Sequence, residues 1–103
     1  MTNQGKKTRV YHAVGGNFRS ARDPWAWCPS GFELVAELET EDLDKVFRLT
    51  NDCGEDWWLN KGVTAFVVPS RSTSVGDVIV LPNGQGYTVE PIGFRPVGNL
   101  DTD

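Results

Sequence analysis

Arg71-Ser72-Thr73-Ser74-Val75-Gly76-Asp77-Val78-Ile79-Val80-Leu81, followed by Pro82-Asn83-Gly84-Gln85-Gly86 and then Tyr87 to Phe94, is the stretch that decides the fold. A polar lead enters a β-rich run, an Asn-Gly turn follows, and a second β-rich run closes the unit. That order is the strongest short-range signature of a hairpin. It predicts strands near Val75–Leu81 and Gly86–Ile92, with Gly93-Phe94 and a loose tail after them. It demands no particular chemistry.

Working upstream, Val63–Val68 is apolar on both faces and ends at Pro69. Two-sided apolar character predicts a central strand, covered on both sides. Glu33–Glu39 alternates, with Leu34, Ala36 and Leu38 on one side and Glu33, Val35, Glu37 and Glu39 on the other. Thr8–Val14 alternates as well, with Val10, His12 and Val14 sharing a face until Gly15-Gly16 ends the run. Between these strands, Leu43, Val46, Phe47 and Thr50 recur at helical spacing. Thr40 as N-cap and the acids Glu41 and Asp42 predict a helix over 41–50, with Glu41–Lys45 and Asp44–Arg48 as outward pairs. The sum is an α+β fold: a mainly antiparallel sheet of four or five strands with one helix packed on a face.

At 103 residues the chain suits one domain, 1–103, with 1–7 and 97–103 expected to be flexible. Eleven glycines suit many tight turns. The formal charge of −4 is unevenly spread. Residues 31–60 hold nine acids against Lys45 and Arg48, whereas Lys6, Lys7, Arg9, Arg19 and Arg22 face only Asp23 in the first thirty. An acidic chain is not predisposed to nucleic acid, although a basic arm can bind it locally. With no long apolar run and no secretory pattern, the expectation is a cytoplasmic protein without membrane contact. Cys28 and Cys53 can form one bridge, but a reducing compartment favours free thiols. Two cysteines and His12 do not make the four-ligand set of a structural zinc site, and no cofactor fingerprint is present.

Three stretches have chemistry to offer. Trp25 and Trp27 lie in a punctuated loop and serve either as stacking platforms or as lids on the sheet. Trp57-Trp58, beside Glu55, Asp56 and Asn60, either frame a ligand pocket or pack on the helix and sheet edge. Arg71, Ser72, Thr73 and Ser74 either clasp an anion, or Arg71 pairs with an acid such as Asp77 while the hydroxyls satisfy loop backbone. His12 reads as a partly buried, hydrogen-bonded side chain, and no nucleophile–base arrangement is evident.

Arg71–Ile79, Tyr87 and Gly93-Phe94 together resemble a signature in small proteins of phages, plasmids and integrated elements, and are similar to the "RSxSVxDVI … GF" ending of the YodL-like domain. Phe47–Asn51, Trp57-Trp58, Asn60 and Gly62-Val63 extend the resemblance over about residues 47–94. It implies an accessory protein of a mobile element and assigns no catalytic residue.

The combined expectation is a non-enzymatic binding protein that modulates a host protein, with an inhibitor of a defence system as its sharpest form. Its interface would comprise Glu37, Glu39, Glu41, Asp44, Trp57, Trp58, Asn60, Arg71, Ser72 and Ser74. The alternative is a nucleic-acid or nucleotide binder using Lys6, Lys7, Arg9, Arg19 and Arg22 with Trp25 and Trp27. A homodimer formed through an exposed strand edge is compatible with both.

Overall fold

The computed structural model describes residues 7–13, 32–51, 56–68 and 71–99. Strands β1 (Thr8–Ala13), β2 (Phe32–Leu38), β3 (Val63–Ala65), β4 (Val78–Val80), β5 (Gln85–Val89) and β6 (Phe94–Asn99) form one six-stranded sheet in the order β3-β2-β1-β4-β5-β6. Every neighbouring pair is antiparallel. One helix, α1 (Leu43–Thr50), and a single 3-10 turn at Trp57–Leu59 complete the regular structure of the described residues. The α+β class is as expected, but the sheet has six strands rather than four or five.

The hairpin forms where its turn chemistry places it. Gly84 N donates to Leu81 O at 2.8 Å, Leu81 N donates to Gln85 O at 3.0 Å, and Gly84 adopts φ +92°. Pro82 is thus the first central residue of a turn whose left-handed position falls on glycine. Both strands are shorter than their apolar runs. Val75 and Gly76 belong to a turn that precedes β4, and residues 91–93 turn the chain into β6.

That sixth strand runs through Pro96 and over residues 97–99, which the sequence pattern assigns to a loose tail. Proline has no N–H for a ladder, but β6 is an edge strand, where one side of the backbone has no partner strand. The opposite edge is β3, whose predicted central position is therefore corrected. Only Val63–Ala65 count as strand. Phe66 N still donates to Val35 O at 2.8 Å, while the side chains of Phe66 and Val68 are exposed. Its inner-facing residues are covered on one side only.

A second difference lies in β2. Val10 pairs with Ala36 and Tyr11 with Leu34, so Val35 has no opposite number and forms a β-bulge. The alternation slips there. Val35 joins Ala36 and Leu38 in the main core with Val10, Val46, Trp57, Ile79 and Val89, whereas Leu34 packs in a second cluster with Tyr11, Phe32, Val78, Val80 and Val97. Full burial of a valine is worth about 1.5–3 kcal/mol, so the bulge secures a core residue that strict alternation would leave on the opposite face.

The helix begins two residues later than expected. Thr40 Oγ1 accepts from Asp42 N at 3.2 Å, and Thr8 Oγ1 donates to Thr40 O at 2.7 Å, which ties Thr40 to the strand layer. Asp42 is the N-cap: its Oδ1 accepts from Asp44 N at 3.0 Å and from Lys45 N at 3.4 Å. Glu41 therefore precedes the helix, and Arg48 Nε reaches the Asp44 backbone carbonyl at 3.5 Å. Val46 and Thr50 face inward, with Leu43, Phe47 and Leu49 half-buried beside them.

Replacement of Asp42 by alanine leaves two first-turn N–H groups without their acceptor. Asp42→Ala lowers the unfolding free energy by about 1 kcal/mol. Urea denaturation of the two proteins checks this, and an unchanged midpoint would show that the cap contributes nothing.

Candidate functional site

The polar run Arg71–Ser74 has no regular secondary structure, yet its backbone is almost wholly engaged. Thr73 N donates to Thr50 O at 2.8 Å, and Thr73 O accepts from Asn51 Nδ2. Trp57 Nε1 donates to Arg71 O at 3.0 Å, and Ser72 O accepts from both Arg71 Nη1 at 3.1 Å and Ser74 Oγ at 3.0 Å. Ser74 O accepts from Asp77 N at 3.0 Å. A segment outside any ladder stays ordered because side chains supply the partners a strand would have offered.

Asp77 is the centre of this arrangement and is fully buried. Its Oδ1 accepts from Arg71 Nη2 at 2.7 Å and Ala13 N at 2.8 Å, and its Oδ2 from Arg71 Nη1 at 2.6 Å and Ser74 N at 2.7 Å. Two donors on each oxygen use the carboxylate's acceptor capacity. Arg71 is equally committed, since Nη1 also donates to Ser72 O and Nη2 to Ala13 O at 3.1 Å. Although its side chain is 44% exposed, four of its five N–H donors already have acceptors. The carboxylate's hydrogen bonds hold the guanidinium pKa above its ordinary value. Of the two arrangements open for Arg71–Ser74, the internal pairing is the one present: Arg71 holds Asp77, Ser74 Oγ donates to Ser72 O, and Thr73 Oγ1 bonds His12.

His12 lies behind Asp77. Its Nε2 shares a 2.9 Å hydrogen bond with the buried Thr73 Oγ1, stands 3.9 Å from Asp77 Oδ2, and its ring meets the edge of Trp57 at a centroid separation of 6.2 Å. Burial lowers its pKa from 6.5 to about 4; the attraction of Asp77 opposes this and the repulsion of Arg71 adds to it. The imidazole is therefore neutral near pH 7. Buried, hydrogen-bonded and neutral, His12 is the packed side chain its place on the valine face suggests.

Trp57 is 1% exposed, and it packs edge-on against Trp58 at 5.8 Å with its indole N–H bound to Arg71 O. Its expected role as a partner anchor is corrected, because a buried indole offers no surface for a partner to desolvate. Trp58 is half-buried against the core. Asn60 Nδ2 donates to Leu49 O at 2.8 Å and satisfies a carbonyl of the last helical turn, so this residue too closes the fold. The Trp57 loop and the Arg71–Ser74 entry do come together, joined by the Trp57 Nε1–Arg71 O hydrogen bond.

The acids are disposed differently. Glu39, Glu41 and Asp44 are exposed around the start of α1, and Glu37 is half-buried in β2 opposite Arg9. Glu39 Oε2 lies 3.8 Å from Lys7 Nζ. Lys7 and Arg9, two of the proposed nucleic-acid contacts, thus sit next to acids, while Lys6, Arg19, Arg22, Trp25 and Trp27 lie outside the described residues, as do both cysteines. Among the described residues no helix is long and apolar enough to cross a membrane, and no group of three or more His, Cys, Asp or Glu side chains is placed to hold a metal ion.

Among the described residues, two grooves lie beside α1. One, of about 230 Å³, runs between the helix and the β5–β6 turn and is walled by Phe47, Val75, Val89 and Phe94, with Asp44 and Glu90 at its rim. The other, of about 170 Å³, lies between Glu39, Lys45, Leu49 and Lys61. The first combines apolar walls with acids. Of its residues only Asp44 stands out in sequence as an interface residue, although Glu90-Pro91-Ile92-Gly93 does carry a signal in the large apolar residue it places inside a turn. Comparisons with protein-family models, with curated proteins and with solved structures give no match to this chain.

Two outcomes follow from the buried junction. Asp77→Ala strips the acceptor from Arg71, Ala13 N and Ser74 N and lowers the unfolding free energy by roughly 3 kcal/mol; chemical denaturation measures the loss, and a change under about 0.5 kcal/mol would contradict the central role given to Asp77. Because the folded protein holds His12 neutral while the unfolded chain protonates it near pH 6.5, acid favours unfolding. Its contribution is fully present above 6.5 and is lost as the pH falls from 6.5 to about 4, on the order of 3 kcal/mol in all. Denaturation curves across that range show a slope in wild type that flattens in His12→Gln.

Proposed function

We propose that this protein is a non-enzymatic binding module that docks the acidic surface around the start of α1 on a basic surface of another protein. The observation that carries the reading is a division of labour among the polar groups. Asp77, Arg71, Thr73 and His12 bond to one another and to backbone, whereas Glu39, Glu41 and Asp44 stand exposed around one end of α1. A carboxylate whose oxygens each accept two hydrogen bonds and a neutral, buried imidazole are poorly placed to exchange protons with a substrate. Exposed like charges fixed on a rigid helix end raise the rate of encounter with a basic partner.

The resemblance of residues 47–94 to mobile-element proteins supplies the context: the partner is a host protein, and a component of a defence system is the form most open to direct trial. The acidic surface is the common element of that reading. Trp57 and Asn60 support it indirectly, by holding the loop that braces α1.

The test is retention of host proteins on immobilised wild type and on a Glu39→Lys/Glu41→Lys/Asp44→Lys variant, at low and at raised salt. A specific partner retained by wild type is released by about 0.5 M salt and is absent from the variant, whose melting temperature stays near wild type. Equal retention by both proteins, or a partner that survives high salt only through nucleic acid, would overturn the reading.

A further inference from the structure

We propose that the groove between α1 and the β5–β6 turn seats a lysine or arginine side chain flanked by apolar residues on the partner protein. The inference rests on the acidic docking reading and names where its specificity lies. Phe47 and Phe94 meet edge to face at 6.4 Å and form an aromatic wall, with Val75 and Val89 beside them. The volume of about 230 Å³ falls below the range of about 300–1,000 Å³ usual for small-molecule and cofactor sites and suits a single side chain.

Two features indicate the chemistry of the occupant. The first is charge. Asp44 is exposed at the rim, and Arg48 approaches its backbone carbonyl rather than its carboxylate. Glu90 stands at the rim too, although Arg95 Nε holds its Oε2 at 2.6 Å, so the acidic character rests chiefly on Asp44. A cation whose methylene stem lies along the two phenylalanine rings and whose head reaches Asp44 satisfies both the walls and the rim.

The second is exposed apolar surface continuous with the groove. Ile92 is 92% exposed, between Pro91 and Gly93, which both line the groove, and Val75 on the wall is 48% exposed. A large aliphatic side chain held in water at a turn, contiguous with half-covered aromatics, is the pattern of a docking patch. The apolar neighbours of the partner's cation would cover it. The groove on the other flank of α1 does not share this chemistry, because Lys45 and Lys61 line it.

The experiment uses the full chain and two capped peptides, acetyl-Gly-Leu-Arg-Leu-Lys-Gly-amide and its counterpart with Glu in place of Arg and Lys, titrated while backbone amide NMR shifts are followed. The basic peptide shifts the amides of Phe47, Val75, Gly93 and Phe94 with a Kd of about 0.1–1 mM, and the acidic one leaves them unmoved. Asp44→Lys and Ile92→Ser, both at exposed positions, each weaken the basic peptide by several-fold, about tenfold for Asp44→Lys, with spectra that otherwise overlay on wild type. Shifts centred on Lys61 or on β3, or an affinity unchanged in both variants, would overturn the inference. If Glu39→Lys/Glu41→Lys then abolishes binding, the acidic docking reading survives without the groove; if no variant and neither peptide has any effect, both fail.

Discussion

The bidentate pair between Arg71 and the buried Asp77 is the constraint on which the rest of the structure depends. A buried carboxylate is tolerable only when each oxygen is paired, and here the donors come from two places in the chain: Ala13 N at the end of β1, and the loop through the Arg71 guanidinium and Ser74 N, the guanidinium in turn donating to the carbonyls of Ala13 and Ser72. The entry to β4 is thereby locked against β1, its partner in the sheet. Thr73 carries the same constraint to the end of α1 through Thr50 and Asn51, and Trp57 carries it to the 3-10 turn. One carboxylate thus sets the relation of strand, loop and helix.

This arrangement separates the polar groups that hold the fold together from those left exposed around α1. Polar groups that attract a functional reading in the sequence, such as a histidine, a serine-rich entry and a tryptophan pair, are absorbed into the junction. Among the described residues, the carboxylates around one end of the helix and the aromatic groove bordered by Ile92 and Asp44 stay on the surface.

Much of the architecture is legible in local pattern. The Asn-Gly turn, the alternation in β1 and the helical spacing of Val46 and Thr50 lead to the elements observed, since each depends on backbone geometry and on neighbours within a few residues. Three features escape that logic. Val35 sits in a bulge that exchanges its side for that of Leu34, and only the pairing with β1 reveals it. β3 looks central because both its faces are apolar, yet it is an edge with Phe66 exposed. β6 is hidden by Pro96, which argues against a strand everywhere except at an edge.

The candidate site divides in the same way. From residue order alone it is determined that the chain carries a hairpin with a polar entry, an acidic middle with nine acids between Glu33 and Asp56, and a helix whose first turn is negative. Turn chemistry, charge and periodicity are properties of neighbouring residues. Only the tertiary structure decides that Asp77 reaches Ala13 across 64 positions, that His12 meets Thr73 across 61, and that Trp57 turns inward to Arg71. Burial and hydrogen-bond partnership are set by which distant segments pack together, and that packing divides the conspicuous polar and aromatic residues between scaffold and surface.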